Sequence, residues 1–210
     1  MIKILLADDH EIMRAGLKLF INNLVAHSTI DEAWDGNSVL EKIKKNEYQL
    51  IILDVNMPET DSLGLVSDII STKPDARILM LSMYPEEIYA KKYLQLGVKG
   101  YVSKTFSAIE VGNAINAVLK NNKYISPSLN QALTEEALGE KIDNPFDKLS
   151  SREFEIVQHL IKGESTGAIC KTLNLHISTV GTYKARIFEK LKCKNIIEIN
   201  QMARVYNLIP

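Results

Sequence analysis

Three aspartates follow two apolar runs in the first part of the chain. Asp8 and Asp9 come directly after KILLA, and Asp54 comes directly after LIIL. Short apolar runs bounded by charge are typical of strands buried on both faces of a parallel sheet. The carboxyl ends of such strands meet at one edge of the sheet, so the three carboxylates are expected to converge there. Crowded carboxylates repel one another, and a hard cation, Mg²⁺ (or Mn²⁺), is the natural counter-charge.

Two later apolar runs bring a hydroxyl, a phenol and an ammonium group to the same edge. ILMLS ends in Ser82, and GYVSK contains Tyr101 and ends in Lys104. Taken singly, Ser82 could cap the next helix and Tyr101 could be a half-buried strand residue. Together with the aspartates, these groups indicate a site that handles phosphoryl groups. Lys104 would pair with one oxygen of such a group, and Ser82 would hydrogen-bond another.

Phosphoryl transfer depends mainly on positioning and on charge neutralisation, and the aspartates supply both. Asp54 is the predicted nucleophile, which attacks the phosphoryl group in line. Asp9, Asp54 and the backbone carbonyl of Asn56 would hold the cation, with Asp8 helping directly or through water. An aspartate after a strand is also a common helix cap or turn former, so the prediction depends on the whole set occurring together.

Strand-like and helix-like segments alternate up to about residue 123. Five apolar runs predict strands, including a weaker one near Ser28–Trp34, and segments with apolar residues at helical spacing follow them. The alternation predicts an α/β fold with a five-stranded, doubly wound parallel sheet. Residues 124–145 then predict a linker, in which ALTEEALGEK forms a short helix that ends near Gly139.

Residues 146–210 show only helical patterns and predict a second, all-α domain of four helices. Ser150 and Glu153 have the spacing of a capping box at the start of the first helix. A tight turn separates the second helix from the third, STVGTYKARIFEKLK, for which Ser178 is the predicted cap. Two helices joined in this way predict a helix-turn-helix, whose third helix lies in the major groove of double-stranded DNA.

The outer face of this third helix supplies the candidate DNA contacts. Thr182 and Ala185 are expected near base edges or thymine methyl groups. Phosphate contacts are expected from five other residues of the helix: Ser178, Thr179, Lys184, Arg186 and Lys190. A solvated helix face is the ordinary alternative. The charge balance favours DNA, because the chain from Lys148 onward carries ten Lys and Arg against five Asp and Glu, while the part before it has a net charge of −6.

Composition restricts the class of protein further. No apolar run reaches the length of a membrane span, and no signal-like segment opens the chain. The two cysteines, Cys170 and Cys193, have no metal-ligand spacing. These features predict a cytoplasmic protein with reduced thiols and no membrane partner.

Residues 1–123 resemble the receiver domain of bacterial two-component response regulators. Four motifs carry the resemblance: ADDH (7–10), LDVNMPETDSL (53–63), LMLS (79–82) and KGYVSK (99–104). The resemblance implies a flavodoxin-like sheet and phosphorylation of Asp54 by a sensor histidine kinase. It also implies a conformational switch formed by Ser82 and Tyr101. Receivers often have a proline after the lysine, and this chain has Thr105 instead.

Residues 146–210 resemble the LuxR-type DNA-binding domain. Two motifs carry this resemblance: LSSREFEIVQHLIKG (149–163) and STGAICKTLNLHISTVGTYKARIFEKLK (165–192). With the receiver, they identify the chain as a response regulator of the NarL/FixJ class, which implies a DNA-binding homodimer after phosphorylation. The family often has outward lysines where this chain has Gly181 and Ala185, and an acidic residue where it has Ala168.

Two other functions remain open from the sequence. One is a small aspartyl-phosphate hydrolase, an enzyme class that usually has a second carboxylate two residues after the nucleophile, where this chain has Asn56. The other is a regulator that works through protein contacts and without phosphate. Turnover of small phosphomonoesters would identify the first, and phosphate-analogue binding with a DNA footprint would separate the second.

Overall fold

The computed structural model of the chain describes residues 1–83, 86–105, 107–137, 144–206 and 208–209. These residues form two compact units, 1–133 and 134–210. The first unit contains a sheet with helices, and the second is helical.

In the described part of the first unit, five strands alternate with five helices, and the start of a sixth helix follows them. The strands are β1 (Ile2–Ala7), β2 (Ser28–Ala33), β3 (Leu50–Asp54), β4 (Ile78–Ser82) and β5 (Gly100–Ser103). The helices are α1 (Glu11–Leu24), α2 (Gly36–Lys45), α3 (Ser62–Thr72), α4 (Glu86–Leu96) and α5 (Ala108–Leu119). All neighbouring strands pair in parallel, in the order β2-β1-β3-β4-β5. The predicted α/β fold is therefore confirmed, including the weak second strand.

Burial and register explain why the strand ends form a site. Every residue of β3 and β4 is buried, as expected for strands covered on both faces. Ala7 pairs with Leu53, so Asp8 and Asp54 follow at the same height on neighbouring strands. On the other side of β3, Ser82 ends β4 opposite the last residue of β5. Four strands therefore deliver their carboxyl ends to one edge.

Helix α6 (Pro127–Ala137) lies in the predicted linker and begins earlier than predicted. Ser126 precedes it, and its Oγ accepts the backbone N–H of Leu129 at 3.1 Å. Pro127 takes the first helical position, where a missing N–H costs little. The predicted end of this helix, at Gly139, lies outside the described residues. The domain boundaries, 1–123 and 146–210 around a linker at 124–145, stay a prediction.

After the end of α6, the described residues of the second unit form a 3₁₀ turn and four helices, which confirms the all-α prediction. The turn is Pro145–Lys148, and the helices are α7 (Ser151–Ile161), α8 (Thr166–Thr172), α9 (Ile177–Leu191) and α10 (Ile196–Val205). The capping box at α7 is present: Ser150 Oγ accepts the N–H of Glu153 at 3.3 Å, and a Glu153 carboxylate oxygen accepts the N–H of Ser150 at 2.7 Å.

The predicted cap of the third helix was wrong. His176 occupies the N-cap position of α9, without a side-chain capping bond, and Ser178 lies within the first turn. The backbone carbonyl of His176 accepts the N–H groups of Thr179 and Val180 at 3.0 and 3.1 Å. The turn before α9 is short because Asn174 adopts a left-handed conformation with φ of 50°.

Candidate phosphoryl-acceptor site and nucleic-acid interface

The structure brings the three predicted carboxylates together at the edge of the sheet. Asp8 and Asp54 are almost completely buried, with 1 % and 2 % of their surface exposed. One ligand atom from each of Asp8, Asp9, His10 and Asp54 lies within 4.8 Å of the others. Three of these four ligand atoms are carboxylate oxygens, which a hard divalent cation prefers.

Lys104 lies between two of these carboxylates. Its Nζ is 2.7 Å from Asp8 Oδ2 and 2.8 Å from Asp54 Oδ2, and its side chain is 6 % exposed. Its backbone N–H donates to the carbonyl of Ser82 at 2.7 Å, which ties the lysine to the end of β4. The described residues contain no cis peptide bond, so the peptide bond between Lys104 and Thr105 is trans. With this trans peptide, the Lys104 side chain contacts both Asp8 and Asp54.

Burial and charge act in opposite directions on this pair. Burial raises the pKa of Asp54 above its ordinary value, although the Lys104 ammonium 2.8 Å away opposes that change. Burial lowers the pKa of Lys104, but the two neighbouring carboxylates of Asp54 and Asp8 together outweigh burial and leave the pKa raised. Lys104 therefore remains an ammonium group. It neutralises only part of the charge of three neighbouring carboxylates, which leaves an excess negative charge for a cation to balance.

Asp8, Asp9 and Asp54 form what we call the acidic edge of the sheet. Two further residues that contact it were not predicted from the sequence. His10 Nδ1 lies 2.8 Å from Asp9 Oδ1, and the His10 backbone N–H donates to Asp8 Oδ1 at 2.8 Å. Arg14 donates to the backbone carbonyl of Asp8 at 2.7 Å. His10 stands in the motif ADDH, so its proximity could have been predicted. Arg14 gave no such signal because its contact is with a backbone atom.

Asn56 lies where the loop after β3 turns back toward Asp54. Its backbone N–H donates to Asp54 Oδ1 at 3.1 Å, which is the turn contact that an aspartate commonly makes. Asp54 therefore combines a turn-forming oxygen with a second oxygen that faces Lys104. The role of the Asn56 carbonyl as a cation ligand stays a prediction.

Ser82 and Tyr101, the predicted switch residues, are both completely buried. A hydrogen bond joins their side chains, while burial raises the pKa of the Tyr101 phenol well above its ordinary value. The Tyr101 ring centroid lies 5.9 Å from that of Tyr93 in α4, and the Tyr93 hydroxyl lies 2.7 Å from Ser62 Oγ. The aromatic ring is thus packed inward against α4 and is not the half-buried strand residue of the ordinary alternative.

Helix α4 also contacts the start of α6 within the first unit. The buried carboxylate of Glu86, the first residue of α4, accepts a hydrogen bond from Ser126 Oγ. Because Ser126 also accepts the N–H of Leu129, one hydroxyl connects α4 to the first turn of α6. A movement of α4 would therefore directly displace the beginning of α6.

The outer face of α9 carries most of the predicted DNA contacts. Ser178, Thr182, Ala185, Arg186 and Lys190 are exposed, while Thr179 and Lys184 are half-buried. Lys190 also pairs with the buried carboxylate of Glu153 at 2.6 Å. That pair lowers the pKa of Glu153 in spite of its burial, so Lys190 has a structural partner as well as a predicted phosphate contact.

Comparisons with known proteins agree with the fold and with the acidic edge. Residues 4–116 match the family described as the response regulator receiver domain. Residues 147–203 match the family described as bacterial regulatory proteins, luxR family. The chain therefore belongs to the response regulators of the NarL/FixJ class, in which a receiver domain precedes a LuxR-type helix-turn-helix domain.

Similar curated proteins span nearly the whole chain. The response regulator UvrY of Escherichia coli K12 is 31 % identical over 204 residues, which cover 97 % of this chain and 94 % of that protein. The oxygen regulatory protein NreC of Staphylococcus carnosus is 32 % identical over 209 residues, covering 96 % of each chain. Among solved structures, RcsB of Salmonella enterica serovar Typhimurium, bound to promoter P1flhDC with a phosphomimetic, has a TM-score of 0.77 at 23 % identity. It covers 96 % of this chain and 97 % of that one, and supports the fold.

No helix in the described part of the chain combines the length and the apolar character that crossing a bilayer requires.

Proposed function

We propose that the chain is a cytoplasmic transcription factor controlled by phosphorylation of Asp54 by a sensor histidine kinase. The carrying observation is the buried Asp54 carboxylate at the sheet edge, whose Oδ2 lies 2.8 Å from the Lys104 ammonium. A carboxylate in this position can attack a phosphoryl group, and the ammonium can pair with an oxygen of the group that arrives. The role of the protein is to position these groups and to neutralise charge.

The donor set fits a divalent cation, Mg²⁺ or Mn²⁺. The carboxylates of Asp8, Asp9 and Asp54 would hold it with the backbone carbonyl of Asn56, and they offer the oxygen ligands that such ions prefer. A bound cation supplies charge neutralisation for the phosphoryl oxygens. Lys104 cannot do this alone, because it already divides its charge between Asp8 and Asp54.

Phosphorylation adds nearly two negative charges and strong acceptor oxygens beside Ser82. The Ser82 hydroxyl would turn to the phosphoryl group, which would weaken its hydrogen bond to Tyr101. Tyr101 packs against Tyr93, so this change would alter the contacts of α4 with β5. The receiver is thereby expected to form a homodimer, and two DNA-binding domains then occupy two half-sites together.

The alternative of an aspartyl-phosphate hydrolase has no observation in its favour beyond the nucleophile. The second carboxylate of such an enzyme would stand at position 56. This chain has Asn56 there, and it contacts Asp54 through its backbone N–H. Self-dephosphorylation at Asp54 is the enzymatic activity that the proposal includes. A phosphate-independent regulator would retain its DNA binding whatever the state of Asp54.

Molecular mass tests the proposed assembly. Light scattering of the full chain with Mg²⁺ and beryllofluoride, an analogue of the phosphoryl group, is expected to give the mass of a dimer. The same chain without the analogue is expected to show a smaller dimer fraction. An identical mass distribution in both conditions would contradict phosphorylation-dependent dimerisation.

Lys184→Ala is expected to weaken binding to all DNA duplexes to a similar extent, since a phosphate contact carries no sequence information. The slope of log K against log salt concentration should become shallower by about one. Titrations at several salt concentrations measure both effects. Lys120→Ala removes the same charge from an exposed residue of the first unit and serves as the control. Equal slopes for the native chain and Lys184→Ala would remove Lys184 from the interface.

A further inference from the structure

The outer face of α9 is a continuous exposed stripe, and its composition changes along the helix. Exposed residues recur one and four positions apart, which is the spacing of one helix face. They are Ile177, Ser178, Gly181, Thr182, Ala185 and Arg186. Val180 and Ile187 are buried on the opposite side. Within this helix, which is described throughout, Lys184 is the first charged residue. The N-terminal part of the stripe therefore consists of uncharged side chains.

Two residues of the stripe offer little hydrogen-bonding capacity to a ligand. Thr182 Oγ1 donates its hydrogen to the backbone carbonyl of Ser178 at 3.0 Å, which leaves its methyl group and an acceptor oxygen. Gly181 presents only backbone, and a Cβ built there would meet no atom within 4 Å. Two exposed apolar groups complete the stripe: the 69 % exposed side chain of Ile177 in the first turn, and Ala185 in the third turn, directly after Lys184.

In the major groove, different bases are recognised by different kinds of side chain. Guanine is ordinarily recognised by the two donors of an arginine or a lysine, while the thymine methyl group is recognised by apolar contact. The first turns of a recognition helix contact bases, and later residues approach the sugar-phosphate backbone. In α9 the first turns offer apolar surface, and cationic side chains begin at Lys184.

We propose that α9 recognises its half-site through thymine methyl groups, with Ile177 and Ala185 as the specificity-determining residues. The preferred half-site is therefore rich in A·T pairs at the positions beneath Ile177 and Ala185, and guanine is not selected there. This inference rests on the proposed DNA-binding function and adds the class of base sequence that it takes. Arg186 and the lysines of the helix then supply affinity that does not depend on sequence.

The test begins with selection from a pool of random-sequence duplexes by the full native chain, with Mg²⁺ and beryllofluoride present. The selected duplex is then rebuilt with deoxyuridine in place of thymidine at single positions, which removes only the methyl group. At the contacted positions, binding is expected to weaken about fourfold for each methyl group, the factor that corresponds to one buried methylene. In each of the variants Ile177→Ala and Ala185→Gly, deoxyuridine should no longer weaken binding at one of these positions.

Gly181 offers a matched pair of variants. Gly181→Lys places a cation in the open space at this position, and its selected half-sites are expected to gain guanine. Gly181→Ala gives a similar gain in helix propensity without a charge, and its selected half-sites should stay as in the native chain. Both changes remain on the exposed face and leave the packing of Val180 and Ile187 untouched.

The outcomes separate this inference from the proposed function. Sequence-specific binding to guanine-containing half-sites, unaffected by deoxyuridine, would overturn thymine recognition and leave DNA binding in place. A deoxyuridine response that survives unchanged in Ile177→Ala and Ala185→Gly would overturn the assignment of these two residues. Failure to bind any duplex at low salt would overturn the proposed function together with the inference.

Discussion

Asp54→Asn is expected to abolish stable phosphorylation of the chain by acetyl phosphate in the presence of Mg²⁺. The amide keeps the shape of the side chain but lacks the nucleophilic oxygen that would form the acyl phosphate. Intact-protein mass spectrometry measures the effect as the fraction of chains that carry one added phosphoryl group. The native chain should show a substantial fraction, and the variant should show none above background.

A matched aspartate separates this effect from general changes in charge. Asp68 is an exposed residue of α3, and Asp68→Asn removes the same negative charge away from the acidic edge. Its phosphorylated fraction should equal that of the native chain. An undiminished fraction in Asp54→Asn would mean that another residue accepts the phosphoryl group.

Lys104→Ala is expected to lower the free energy of unfolding of the first domain by about 3 kcal/mol. The ammonium lies within 2.8 Å of two buried carboxylates, so its removal leaves Asp8 and Asp54 buried beside each other without the charge that joins them. Adding Mg²⁺ should restore more stability to the variant than to the native chain, because a cation would then replace the positive charge that Lys104 supplies to Asp8 and Asp54.

Urea unfolding followed by fluorescence measures this effect in one domain. Trp34 is the single tryptophan of the chain, and it lies in the first unit. Lys99→Ala removes a half-buried lysine that precedes β5 and is the control, for which we expect a change of about 0.5 kcal/mol or less. Equal stabilities for Lys104→Ala and the native chain would show that the ammonium does not compensate the acidic pair.

The elements that position the acidic edge could be predicted because their signals are strong and local. The apolar runs LIIL and ILML are long enough for a buried strand and too short for an ordinary helix. Once the strands are parallel, the rule that ligands bind at their carboxyl ends places Asp8, Asp54 and Ser82 at one edge without knowledge of any contact. The observed proximity of the carboxylates follows from this simple geometry once the parallel sheet is in place.

Details that depend on side-chain reach or on a single turn could not be predicted. A lysine side chain is long and flexible, so the sequence did not reveal that Lys104 contacts both Asp8 and Asp54, or that Lys190 pairs with Glu153. The start of α9 depends on the left-handed turn before His176, and Ser178 was a reasonable but wrong choice of cap. The residue at which a helix begins depends on backbone conformation, and several different sequences are compatible with the same conformation.

Phosphorylation of Asp54 is expected to strengthen the binding of the second domain to DNA. The most direct test is the affinity of the native chain and of Asp54→Asn for one selected duplex, before and after treatment with acetyl phosphate and Mg²⁺. We expect the native chain to gain affinity after this treatment and the variant to show no gain. A gain of equal size in both chains, or an unchanged affinity in a phosphorylated native chain, would contradict it.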